Sequence, residues 1–256
     1  MRDILIDLEE GQDPQRQAQK HMKPKKPKRF YKEVTVGEDE KGFAVLLDGR
    51  AIKTPGKGAL RLTTAAAAQL IADEFSAQVD EIDAITMPVT RIANSASEGV
   101  ADAMQEVRDD LVKFSGSDLI CYRTDTPVGL VENQKTQWDP IVDWVEEYFG
   151  ERPQLAGGII YVDQPEAMLN SIARHVSKIE NPFTLAALHV MTTLTGSALI
   201  SFAHAASFIS LEQAWAAAHV DEDWNIEMWG SDEDAKARRE QRFLDMQAAS
   251  QLFNAA

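Results

Sequence analysis

Phe43-Ala44-Val45-Leu46-Leu47-Asp48-Gly49-Arg50-Ala51-Ile52-Lys53-Thr54 reads as a β-hairpin. Phe43 to Leu47 is an apolar run rich in β-formers. Asp48-Gly49 is a two-residue turn signal, and Arg50 to Thr54 returns as a second strand until Pro55-Gly56 ends it. Outward on the N-terminal side, Phe30-Tyr-Lys-Glu-Val-Thr-Val36 alternates and carries β-branched residues, so it predicts another strand, with Gly37 to Lys41 as a polar turn. On the C-terminal side, Ala59-Leu-Arg-Leu62 predicts a fourth. Thr64 then supplies an N-cap for a helix through about Gln78, with Leu70, Ile71 and Phe75 on its inner side. The pattern is a meander covered by one helix.

Beyond Thr90 the pattern is almost entirely helical. Ile92, Ala96, Val100, Met104, Val107, Leu111 and Phe114 predict one long stripe. Asp139-Pro140 predicts an N-cap and first helical position for Ile141 to Phe149. Gly157 to Val162 suggests a short strand, Pro165 opens a helix, Asn181-Pro182 breaks to another, and Ser231 caps a last helix through about Phe253. The fold class expected is α+β. Residues 1–28 form a flexible, basic-ended tail, 29–95 a β-rich N-terminal domain, and 96–256 a larger all-α C-terminal domain.

Composition narrows the function. The chain has 256 residues and a formal net charge of -15, which disfavours nucleic acid and anionic membrane surfaces as partners. Its single cysteine, Cys121, excludes an internal disulfide and a cysteine-cluster metal site. No apolar run approaches the ~20 residues of a membrane span, so no stable insertion is expected. Asp3, Asp7, Glu9 and Glu10 oppose a secretory signal or transit peptide, so a cytoplasmic bacterial protein is expected. Lys20, Lys23, Lys25, Lys26, Lys28 and Arg29 end the tail without interleaved aromatics, as a solvated segment would.

Catalytic signatures are missing. No nucleophile elbow, Walker lysine loop or dinucleotide fingerprint occurs, and Pro55-Gly-Lys-Gly58 lacks the spacing of a phosphate loop. The histidines form no HxxxH pair. Cys121 has no neighbour that would lower its pKa, and reads as a buried structural thiol. Asp139 and Asp143 read as a cap and a solvated helix face. No catalytic residue, metal or cofactor is expected.

The segment Ser210-Leu-Glu-Gln-Ala-Trp215-Ala-Ala-Ala-His-Val-Asp221-Glu222-Asp223-Trp224-Asn-Ile226-Glu-Met-Trp229-Gly230 stands apart. Ser210 and Gln213 form a capping-box pair, and Gly230 is a natural stop, so one helix is expected between them. Leu211, Trp215, Ala218, Glu222, Ile226 and Trp229 fall on one stripe, apolar except for Glu222. A carboxylate there must be paired, protonated or offered to a partner. Two roles stay open: an internal pair with Arg238 or Arg242, or contact with a partner.

Several motifs occur in a fixed order: Phe30-Tyr-Lys, Leu47-Asp-Gly-Arg50 with Lys53-Thr-Pro55, Met87-Pro-Val-Thr90 with Asn94, Asp118-Leu-Ile-Cys-Tyr-Arg123, Trp138-Asp-Pro140, and Trp224 to Trp229-Gly230. Together they resemble the ATP-twelve family, assembly chaperones for the alpha subunit of the F1 sector of ATP synthase. The resemblance spans Arg29 to the C-terminus. It implies a β-rich N-terminal and a helical C-terminal domain, no cofactor and no ATPase activity. It also implies an important acidic residue in the helical region; Asp221, Glu222 and Asp223 stand at the matching place, and the stripe selects Glu222. Asn225 departs from the glutamine frequent in the family. The expected partner is the unassembled F1 alpha subunit, covered until the beta subunit replaces it, and the chain is expected to be monomeric. Trp215, Trp224 and Trp229 are candidate contacts, because tryptophan is enriched at binding hot spots. The alternative is a small-molecule enzyme or binding protein that uses the cleft between the two domains, with Arg50, Lys53 and Arg123 as anion ligands.

Overall fold

The computed structural model describes residues 26–158 and 160–256. Three antiparallel strands, β1 (Val34–Asp39), β2 (Gly42–Leu47) and β3 (Arg50–Ala51), form a sheet in the order β1-β2-β3. Asp48 and Gly49 both have positive φ, 48° and 77°, as the tight turn between β2 and β3 requires. The Asp48 carboxylate accepts from the amides of Lys32 and Glu33, at 3.0 and 2.8 Å. Those amides are therefore spent on the turn, and the first strand begins at Val34 rather than Phe30. The expected fourth strand is reduced to the bridges Lys53↔Ala59 and Phe43↔Leu62. The second needs Gly42 at φ 117°, since a Cβ there would lie 2.5 Å from the Leu62 carbonyl. α1 (Ala65–Ser76), capped by Thr64, covers the sheet through Ala67, Ala68, Ile71 and Ala72.

Most of the remaining chain is helical. α2 (Pro88–Ser95) starts at Pro88, where the Glu74 carboxylate accepts from the amides of Val89 and Thr90, each at 2.7 Å. Burial raises the pKa of Glu74, against these hydrogen bonds. The single stripe expected from Ile92 to Phe114 is interrupted. A π turn spans Ala96–Val100, with Ala101 donating to Ala96 five residues back, and α3 (Met104–Gly116) begins afterwards. Glu98 within that turn accepts from the Gly56 amide at the end of the hairpin, a contact between segments that no local pattern announces.

β4 (Tyr122–Arg123) and β5 (Ala156–Gly157) form a short parallel pair. The strand expected over Gly157 to Val162 stops there, because Gly158, at φ 68°, donates its amide to Arg123 and turns the chain away. Between them, α4 (Val128–Phe149) runs straight through Asp139-Pro140 and corrects the expected helix start. Proline removes one amide, but Gln134, Trp138, Ile141, Val142 and Val145 form a continuous buried stripe that outweighs it. Asp139 instead pairs with Arg123 at 2.8 Å.

Then follow α5 (Glu166–Val176), α6 (Pro182–Thr195), α7 (Ala198–Ala205), α8 (Leu211–Ala218), α9 (Val220–Trp229) and α10 (Glu233–Ala255). The break expected at Asn181-Pro182 is a helix start, with Asn181 capping α6, whereas Asp232, not Ser231, caps α10 by accepting from Ala235 at 2.7 Å. α6 is the central helix, with Leu185, Ala187, Leu188 and Met191 fully enclosed. α10 runs along it and reaches α1 and α2, so one continuous core joins the sheet module to the helices. Thr64 Oγ1 donates to the Ala255 carbonyl, tying the first helix cap to the end of α10.

Asp118 lies at the centre of the helical layer, with no exposed surface. Its carboxylate accepts from Ser197 Oγ at 2.5 Å, from the Leu199 amide at 3.0 Å and from the Ile120 amide at 3.3 Å. It thereby caps the 3-10 turn Leu119–Cys121 and holds the start of α7 through Ser197, the cap residue, and the Leu199 amide. Burial pushes its pKa up to about 6, against these bonds. Cys121 beside it is buried, and desolvation raises its thiol pKa far above the ordinary range. It is chemically silent, as its surroundings in the sequence suggested.

The tail expected over residues 1–28 lies outside the described residues as far as residue 25. Pro27 accepts from the Ile82 amide at 2.8 Å, Lys28 bridges to Glu81, and Lys26 pairs with Asp83 at 2.5 Å.

Candidate functional site

Ser210 to Gly230 forms two helices, not one. Ser210 and Gln213 make the expected capping box of α8. In a continuous helix the His219 amide would donate to the Trp215 carbonyl. Here the His219 side chain takes that carbonyl, through Nδ1 at 2.8 Å, and the His219 amide donates to Ala216 instead. A side chain inserted in the ladder breaks the helix at His219, whose φ of -119° and ψ of 19° are not helical. The six-residue stripe therefore does not exist. Leu211, Trp215 and Ala218 belong to α8. Glu222, Ile226 and Trp229 keep their mutual spacing of four and three residues, but only along α9.

Several contacts hold α9 to the body. Val220 is buried. Gln134 of α4, itself buried, accepts from the Thr124 amide and donates to Asp221 Oδ1 at 2.8 Å. Asp223 pairs with Arg239 of α10 at 2.5 Å. Asp221 and Asp223 are thus engaged in placing the helix. Neither Arg238 nor Arg242 is a salt-bridge partner of Glu222, and Arg242 donates to the Leu194 carbonyl. The nearest cationic atom in a salt bridge with Glu222 is His219 Nε2, 3.9 Å away, and burial lowers the pKa of that ring. A neutral ring at that distance offers Glu222 little compensation; the Arg239 guanidinium, paired with Asp223, also feels the Glu222 charge.

The three tryptophans occupy three environments. Trp215 is buried against His219 and Phe243, with ring centroids 3.9 and 5.3 Å away, as a core side chain. Trp224 is half-buried over α4, where a Cβ on Gly129 would come within 2.5 Å of its ring. Trp229 is 85% exposed. Glu222, Ile226 and Trp229 line one wall of a surface groove of about 650 Å³ between α9 and the start of α10, and Ala235, Lys236 and Arg239 line the other. Lys236 and Arg239 had no signal in the sequence, since only the crossing of the two helices brings them there.

The close approach of Trp224 to Gly129 carries a prediction. Gly129→Val should displace Trp224 and loosen α9. Amide exchange over Val220–Trp229 should rise at least tenfold, while exchange in α6 stays unchanged. Equal exchange in the two proteins would show that α9 is held by its other contacts alone.

The arrangement suits contact more than chemistry. Arg123 is engaged through two of its three nitrogens: Nη1 pairs with Asp139 and Nε donates to the Ile120 carbonyl at 2.8 Å, while the guanidinium stacks over Trp138 at 5.1 Å and Nη2 is buried without a partner. Arg50 lies in β3, and Lys53 is bridged to Ala59. Asp143 pairs with Arg152, not with Asp139. Among the described residues, no group of three or more His, Cys, Asp or Glu side chains is placed to hold a metal, and no helix is long and apolar enough to cross a membrane.

A small sheet module fused to a helical layer, with an aromatic surface groove lined by charges of both signs, has the features of a binding protein. Comparison with known proteins makes the class specific. The family model described as ATP12 chaperone protein matches residues 28–146. The crystal structure of Atp12 from Paracoccus denitrificans is 38% identical, with a TM-score of 0.83 over 90% of this chain and 98% of that one. A candidate chaperone from Agrobacterium tumefaciens is 44% identical, with a TM-score of 0.87 over 95% of this chain and 91% of that one. The mitochondrial atp12 protein of Schizosaccharomyces pombe is 24% identical over 222 residues, 81% of this chain and 75% of that protein. The chain belongs to the ATP12 chaperone family.

Proposed function

We propose that this chaperone serves assembly of the F1 sector of ATP synthase, and that it binds the unassembled alpha subunit until the beta subunit replaces it. Family membership supports the assembly role. The observation that carries the contact face is Trp229, a large aromatic left 85% exposed one helical turn from Ile226 and two turns from Glu222, which makes no salt bridge to an arginine or lysine. Such a side chain costs solubility unless something covers it, and aromatic residues with a polar rim are the composition of a binding surface. On this reading Asp221, Asp223 and Trp224 set the pose of α9, Trp215 supports it from the core, and Glu222 and Trp229 touch the client.

The test uses alpha subunit diluted from denaturant, with aggregation followed by light scattering. Wild-type chain should suppress it. Glu222→Gln and Trp229→Ala should each reduce the suppression several-fold, with unfolding midpoints unchanged, because both positions lie on the surface. Scattering equal with and without the chain would remove the client assignment. Full protection by both variants would remove the contact face alone.

A further inference from the structure

A second groove lies on the opposite flank of α10. It has a volume of about 480 Å³ and runs between α1, α2 and α10, with Leu70, Ile85, Val89, Leu244 and Ala248 among its lining residues. Ile85 is 60% and Leu244 51% exposed, so the groove offers aliphatic side chains that no described segment of the chain covers. Asp73 and Glu74 lie on its α1 side.

The chain outside the described residues ends beside this groove. Lys26 is fixed to Asp83, and Pro27 accepts from Ile82. Asp83 precedes the groove residue Ile85 by two positions, at most about 7 Å of backbone. Residues 1–25 therefore enter the described structure at the groove's edge. Their composition matches what the edge offers. Lys20, Lys23 and Lys25 precede Lys26 in the sequence, and the segment that Lys26 and Lys28 meet carries Asp80, Glu81 and Asp83. Farther out, Ile4-Leu5-Ile6-Asp7-Leu8 is the one aliphatic run in the first 28 residues. Seventeen residues separate Leu8 from Lys26. A chain of that length has a root-mean-square span of about 23 Å, which puts the run at roughly millimolar effective concentration around the groove.

We propose that Ile4 to Leu8 docks in the groove between α1, α2 and α10 as an intramolecular strap. Aliphatic side chains of the run meet Ile85, Val89 and Leu244, and the lysines lie along the acidic edge. The strap would screen one apolar groove of a chaperone from self-association while the α9 face stays open. This inference does not depend on the client assigned above.

The test is disulfide trapping in the full chain, where Cys121 is buried and unreactive. Leu5→Cys is combined with Leu244→Cys in the groove or, as reference, with Met228→Cys on α9, which is similarly exposed. Under mild oxidation the groove pair should form an intramolecular disulfide at least tenfold faster than the reference pair. Adding Ile4→Ser, Ile6→Ser and Leu8→Ser should return it to the reference rate. Equal rates for the two pairs, indifference to the serine changes, or a product of doubled mass alone would each overturn the strap; the last would assign the groove to a second copy.

Discussion

Asp118→Ala should lower global stability by about 3 kcal/mol or more, a fall in Tm of about 6–12 °C for a chain of this size. The replacement leaves Ser197 Oγ and the amides of Leu199 and Ile120 without their acceptor, all in a region closed to water. The 3-10 turn loses its cap, and Ser197, the cap of α7, loses the carboxylate that holds it. Asp118→Asn should cost less at neutral pH, since one oxygen remains, and it should change the pH dependence. The folded pKa, about 6, is raised above the ordinary value of 3.8. Between those values the folded state holds the proton more tightly than the unfolded state does. The contribution of Asp118 is therefore greatest below pH 4, declines as pH rises to about 6, and is constant above. The stability advantage of wild type over Asp118→Asn should narrow across that window, by roughly 3 kcal/mol at most. Urea unfolding of both proteins at several pH values checks it, and parallel curves would show that the buried carboxylate titrates normally.

Trp138→Ala should cost about 3–5 kcal/mol. Its ring is 1% exposed, carries Arg123 at 5.1 Å, and donates from Nε1 to the Ala217 carbonyl at 2.7 Å. That carbonyl belongs to the last turn of α8, just before the break at His219, where helical partners run out. Trp138→Phe keeps most of the volume and loses only the donor, so it should cost about 1–2 kcal/mol. The pair of variants separates packing from hydrogen bonding. A Phe variant as unstable as the Ala variant would mean that the indole donor, not the ring, holds the junction together.

What could be read from the sequence was local. Asp48-Gly49 set a turn because two adjacent residues had to reach positive φ. Thr64, Asn181 and the Ser210–Gln213 pair marked helix starts because each cap reaches only two or three residues. What could not be read depended on residues far apart in the chain. Pro140 looked like a helix start, but the buried stripe on either side of it carries α4 through. Glu98 looked like a member of a long helix, but it answers to Gly56. His219 looked like an ordinary helical residue, but its ring displaces its own amide from the Trp215 carbonyl.

The candidate site shows the same division. The stripe that singled out Glu222 assumed a helix twice as long as either real one. Glu222, Ile226 and Trp229 still share a face because their spacing survives within α9. The engagement of Asp221 with Gln134 and of Asp223 with Arg239 needed the third dimension, and it is this that leaves Glu222 as the acid of the three without a close partner.

The bond between Thr64 and Ala255 has a consequence for biosynthesis. The sheet and α1 leave the ribosome before the helix that seals them against α2 and α6, with every other described helix made in between. The sheet module must wait through the synthesis of those helices with that flank unsealed, and its sealing coincides with the exit of α10 from the tunnel. A chaperone built this way completes its first-made module only after α10 has been made. Ribosome-bound chains lacking α10 should therefore expose the α1 flank to proteases that the finished protein resists.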